Sequence, residues 1–132
     1  MSLLYTPKGS VLGLKKVIKK YNKIFEEIGI GKLILKAYRL EKPLTGIEIY
    51  GASVSDVRQL VRELKKYFYV VKSPDSEIKN NKFYGTIYVS RFKTLIQLAS
   101  RVPLTDRVAD LAGIIYGYKP KEIAKYIRRL GL

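Results

Sequence analysis

The spacing of apolar residues changes period along this chain, and that change constrains the fold more than any single motif. Val11, Leu14, Val17, Ile18, Tyr21, Ile24, Phe25 and Ile28 form one stripe at helical spacing. Ser10 stands where an N-cap is needed, and Gly29 and Gly31 follow where the helix would end. The segments Lys32 to Leu40, Thr45 to Tyr50, Tyr67 to Lys72 and Phe83 to Val89 read as strands. Glu41 to Leu44 reads as the turn of a first hairpin, and Ser73 to Lys82 as a polar loop. Between the two pairs of strands, Ser53 and Asp56 resemble a capping box ahead of Val54, Val57, Leu60, Val61 and Leu64. The polar side of that second helix carries Arg58, Arg62, Lys65 and Lys66. After Val89, Ser90 can cap a helix through Phe92, Leu95, Ile96 and Ala99. Thr105 can cap another, and Pro120 suits the first turn of a last one. The pattern predicts an α+β fold: a four-stranded antiparallel sheet in helix, hairpin, helix, hairpin order, helices mainly on one face, and a C-terminal helical tail. Residues 1–89 would form the sheet core and 90–132 the tail of one domain.

Charge narrows the function. The chain carries 26 Lys plus Arg against 11 Asp plus Glu, a net charge of +15. Self-repulsion on that scale opposes compaction, and a polyanionic partner is the simplest reason for it. With no Cys there is no disulfide framework or thiolate metal site, and with no His there is no Ser-His-Asp triad. No cofactor, metal or catalytic residue is expected. No apolar run approaches a membrane span or a secretory leader, so a cytoplasmic protein without a membrane role is expected. Few Asn and Gln with abundant Lys, Ile and Tyr fit a thermophile.

Alternation along the four expected strands sorts their side chains. Leu33, Leu35, Ala37, Ile47, Ile49, Phe68, Val70, Phe83, Ile87 and Val89 form the face to be buried. The opposite face collects tyrosines with lysines at its rim. That predicts a nucleic-acid-binding set of Lys32, Lys36, Tyr38, Tyr50, Tyr67, Tyr69, Lys82, Tyr84, Tyr88 and Arg91. Bases stack on aromatic rings and cations take the phosphates of single-stranded DNA or RNA, with little sequence preference. The same rings also suit burial under helices or in a subunit interface.

The layout resembles that of the ThermoDBP-related archaeal single-stranded DNA-binding proteins. Ile47-Glu48-Ile49-Tyr50-Gly51 leading into the Ser53 helix carries part of the resemblance, and the tail segment from Ala109 to Tyr118 carries the rest. It implies a homo-oligomer that holds single-stranded DNA between subunits and the sheet.

Two other readings use other residues. Gly113, Gly117, Ile123 and Tyr126 also fit a helix-turn-helix, with Lys121, Lys125, Arg128 and Arg129 toward duplex DNA. An ordinary helical hairpin has the same needs. Pro74-Asp75 with Glu77 and Lys79 superficially resembles a metal-dependent nuclease set, but crowds into one expected loop. The sequence favours binding without catalysis.

Overall fold

The computed structural model describes residues 4–100. The expected helix-turn-helix and the last two expected helices lie outside them. Within them the chain forms α1 (Val11–Tyr21), a single 3-10 turn (Asn22–Ile24), α2 (Ile30–Tyr38), β1 (Thr45–Ser53), α3 (Val54–Leu64), β2 (Tyr69–Lys72), β3 (Glu77–Lys79), β4 (Lys82–Ser90) and α4 (Lys93–Ala99).

The result is an α+β fold on one antiparallel sheet of four strands, reached by a different route from the expected one. β4 is the central strand. β1 pairs along one edge of it, from Thr45 opposite Val89 to Ser53 opposite Lys82. β2 and β3 share its other edge end to end: Tyr69 to Lys72 lie opposite Ser90 to Ile87, and Glu77 to Lys79 opposite Tyr84 to Lys82.

The expected strand from Lys32 to Leu40, and with it the first hairpin, is corrected to helix. Ile30, Ile34 and Ala37 are buried at helical spacing, and Gly29 enters the helix with a left-handed φ of 85°. A short apolar run such as Leu33-Ile34-Leu35 fits either period, and packing chooses. The single helix expected from Val11 to Ile28 is also broken. α1 stops at Tyr21, and Glu26 then donates its amide to the Glu48 carbonyl of β1. Conversely, the polar loop holds a short strand. Asn80 and Asn81 both take left-handed φ values, 51° and 62°, between paired Lys79 and Lys82. That is a two-residue hairpin turn with φ positive at both central positions, which Asn tolerates better than most residues.

Both serines cap their helices: Ser10 Oγ accepts from Gly13 N–H, and Ser53 Oγ from Asp56 N–H, which is one of the two bonds of the expected capping box. Ser90 is no helix cap in this sense. Its hydroxyl donates to the Pro43 carbonyl and accepts from Phe92 N–H, so it pins the loop before β1 to the start of α4.

Helices cover both faces of the sheet. On the inner face Ile47, Ile49, Phe68, Phe83, Ile87 and Val89 share one core with Leu14, Val17 and Tyr21 of α1, Ile30 and Ile34 of α2, and Val57, Leu60 and Leu64 of α3. On the outer face α4 builds a second, smaller core from Leu95, Ile96 and Ala99 with Tyr88 and Leu44, flanked by Tyr69 and Val71. No helix among the described residues is long and apolar enough to cross a membrane.

Candidate nucleic-acid interface

The outer sheet face is not a continuous tyrosine platform. Tyr88 is 5% exposed, sealed beneath α4. Tyr69 is half-buried beside it, and its ring meets Tyr5 edge-on with centroids 5.1 Å apart. Tyr67 belongs to neither β2 nor the outer face. It follows α3 and is 4% exposed in the main core, packed so closely to Gly9 and Gly13 that a Cβ at either would lie under 3 Å from its ring or hydroxyl. Burial pushes the Tyr67 phenol pKa up, with Tyr38 and Glu63 adding to it. Tyr38 ends α2 rather than a strand, with its ring edge-on to Tyr67 at 6.2 Å.

Of the expected tyrosines, Tyr50 and Tyr84 remain as an open pair. They are cross-strand neighbours, 55% and 37% exposed. They line a hollow of about 210 Å³ with Asp75, Glu77, Gly85 and Thr86. The two carboxylates repel phosphate at the rings themselves, while Lys79 and Lys82 pair two positions along the same ladder. Ser73 Oγ donates to Asp75 Oδ1 and fixes that carboxylate in its own turn. Lys79, third of the nuclease-like set, is on β3 opposite Lys82. Among the described residues no three or more His, Cys, Asp or Glu side chains gather as a metal site.

The expected cations part company in the same way. Arg91 is structural: its guanidinium donates from Nε to the Tyr5 carbonyl at 3.0 Å and from Nη1 to the Tyr38 carbonyl at 2.9 Å. It thereby ties the N-terminal segment to the end of α2. Lys32 and Lys36 are exposed one turn apart on α2, not at a sheet rim. Lys82 alone stays at a strand end, exposed and opposite Ser53, the N-cap of α3.

That end of the molecule holds the feature that strand alternation missed. A groove of about 580 Å³ runs between α3 and the β2 and β3 edge. Its floor is apolar, with Val57, Val61, Val70, Ile78, Phe83 and Ile87. Its rim is Arg58, Arg62, Lys65 and Lys72, and none of the described residues lining it is acidic. A smaller hollow beside it also uses Arg58 and Arg62, with Ser53, Ser55, Gln59 and Asn81.

α3 makes this arrangement from a simple pattern. Val57, Leu60 and Leu64 are buried, which turns Arg58, Arg62 and Lys65 to one flank. The two arginines are four residues, about 6 Å, apart along the axis. Glu63 is on the opposite flank, where it meets Lys20 Nζ of α1 at 3.5 Å, away from the groove. The sequence signal for this site was present in the basic side of the second helix. Its apolar floor was invisible, because Val70, Ile78 and Phe83 come from three different strands.

No family model, curated protein or solved structure matches the chain.

Proposed function

We propose that this protein binds single-stranded nucleic acid, DNA being the first form to test, in the groove between α3 and β2, without catalysing a reaction on it. The observation that carries this reading is a groove of about 580 Å³ with an apolar floor, four rim cations and no acidic residue among the described residues lining it. An unpaired strand offers the complement, a polyanionic backbone and the flat faces of unstacked bases. A duplex keeps its base faces stacked on one another and presents phosphates and groove edges instead. Arginine suits both parts of the task, since its planar guanidinium pairs with phosphate and stacks on flat rings. Bases would rest on aliphatic side chains and guanidinium planes rather than on the described tyrosines, most of which are partly or fully buried.

The test is a titration of labelled single-stranded and duplex oligonucleotides of equal length against the parent protein and Arg58→Glu/Arg62→Glu. The single strand should bind more tightly than the duplex. The double substitution should weaken single-strand binding by about tenfold or more, since a hydrogen bond to a charged group is worth roughly 1.5–3 kcal/mol. Equal affinity of parent and variant would move the site out of the groove. Tighter duplex binding would favour recognition by the tail from residue 105 onward.

A further inference from the structure

The hollow formed by Tyr50, Tyr84, Asp75 and Glu77 has the wrong charge for a nucleic acid and the right chemistry for a cation. A Lys ammonium is attracted to a tyrosine face and to carboxylates alike. In a chain with 26 basic and 11 acidic residues, this hollow is lined by two carboxylates and two open rings, and by no basic residue among the described ones.

The complement is on the same chain, on the other side of the fold. Leu12 of α1 is 62% exposed. Lys15, Lys16 and Lys19 are three, four and seven residues further on, on the same helix face, all exposed. None of the three forms an ion pair with another described residue. α1 has no acidic residue of its own. One surface is therefore an apolar knob ringed by cations, the other an aromatic hollow flanked by anions. α1 belongs to the core on the inner face of the sheet, whereas the tyrosine hollow opens on the outer face. The two patches cannot meet within one molecule.

We propose that the Leu12, Lys15 and Lys19 face of α1 docks into the Tyr50 and Tyr84 hollow of a second copy of this chain. The contact is head-to-tail: each copy uses one patch and leaves the other free. Such a contact generates a ring or an open row, not a closed two-fold dimer. The hollow has six lining residues, against about 20–30 on each side of a stable interface. The association is accordingly weak and salt-sensitive. It does not rest on the nucleic-acid reading, because both patches lie outside the groove.

Sedimentation velocity at low salt and rising protein concentration, with no nucleic acid present, tests it. The parent protein should grow in mass with concentration without a plateau at the dimer. Asp75→Lys/Glu77→Lys should stay monomeric over the same range. Adding Lys15→Glu/Lys19→Glu to that variant reverses both faces and should restore growth. Among the described residues, all these side chains except that of Asp75 are free of side-chain hydrogen bonds, and an unchanged far-ultraviolet circular dichroism spectrum checks folding. A parent that remains monomeric overturns the proposal. So does a plateau at the dimer, association that persists in Asp75→Lys/Glu77→Lys, or no recovery in the fourfold variant. Oligonucleotide affinity of the Arg58→Glu/Arg62→Glu protein reads the groove separately, so the two ideas fail independently.

Discussion

Tyr84 and Tyr88 are four positions apart on β4 and point to the same side, yet their surroundings differ. Tyr88 lies under α4 with Leu95, Ile96 and Ala99, while Tyr84 faces its neighbour Tyr50 in the open. Replacing Tyr88 with Ala should lower unfolding free energy by about 3–5 kcal/mol, the range for a buried aromatic. Tyr84→Ala should cost less than about 1 kcal/mol, as exposed substitutions do. Urea unfolding of the two variants measures both. Equal losses would mean that the outer face is more thoroughly covered than the fold suggests. Gly51 is a second residue with a definite requirement. It is the extra residue of a β-bulge between Tyr50 and Ala52, held at a φ of 89°. There is room for a Cβ, since the nearest heavy atoms of the Tyr84 ring are 3.8 Å away. The cost of Gly51→Ala is therefore backbone strain alone, about 1–2 kcal/mol. A melting temperature equal to the parent's would show that the bulge relaxes.

At the scale of elements, the segment ahead of α1 is held by several contacts, and Arg91 takes part in a clasp among them. Tyr5 donates its amide to the Arg91 carbonyl and its hydroxyl to the Lys65 carbonyl, and Lys8 N–H donates to the Lys66 carbonyl. Arg91 completes the clasp with its two guanidinium hydrogen bonds to the Tyr5 and Tyr38 carbonyls. Arg91→Ala should free this segment locally, since hydrogen bonds to charged groups are worth roughly 1.5–3 kcal/mol each. Hydrogen exchange at the Tyr5 and Lys8 amides should accelerate at least tenfold, while amides in β1 and β4 keep most of their protection. Uniform acceleration throughout would show that the clasp stabilises the whole sheet rather than one segment. The clasp commits two of the five guanidinium N–H donors of Arg91 to backbone carbonyls.

At the scale of the molecule, two properties follow from where the charges and phenols sit. Burial raises the phenol pKa of Tyr21 and Tyr67 from the ordinary 10.0, and of Tyr5 as well, with Tyr69 contributing there. A group whose folded pKa is raised adds stability below its unfolded pKa and loses it as pH rises through the folded one. Stability should thus be flat toward neutral pH and fall from about pH 10 upward. Tyr67→Phe should flatten part of that fall, as melting temperatures across the alkaline range would read. No such difference between Tyr67→Phe and parent would place the alkaline transition elsewhere. Single-strand binding in turn should weaken steeply with salt. If each of the four rim cations neutralises one phosphate, log K against log salt has a slope of about −3, at −0.7 per phosphate. Arg58→Ala/Arg62→Ala should make that slope shallower by about 1.4. A slope unchanged by the substitutions would assign the phosphates to lysines on α1 or α2.

The sequence by itself determined the local chemistry. Ser10 and Ser53 cap helices because a hydroxyl beside free amides needs no distant partner. α3, with Val57, Leu60 and Leu64 inward, is legible because its period is strong and long. β1 and β4 are legible because Ile47, Ile49, Phe83, Ile87 and Val89 alternate. The net charge alone narrows the class of partner worth considering. Tertiary structure decided the rest, and for a common reason: each undecided feature depends on what packs against it. Leu33-Ile34-Leu35 becomes helix because the sheet offers a face to cover and Gly29 supplies the entry. Residues that alternation placed on one open face scatter once α4 claims Tyr88, α1 claims Tyr67 and two carbonyls claim Arg91. The groove exists only where α3 is laid beside β2 and β3, since its floor draws on residues as distant along the chain as Val57 and Ile87. A pattern along the chain records which side of an element is apolar. It does not record which neighbour arrives to cover it, and that decides whether a tyrosine is a platform or a core.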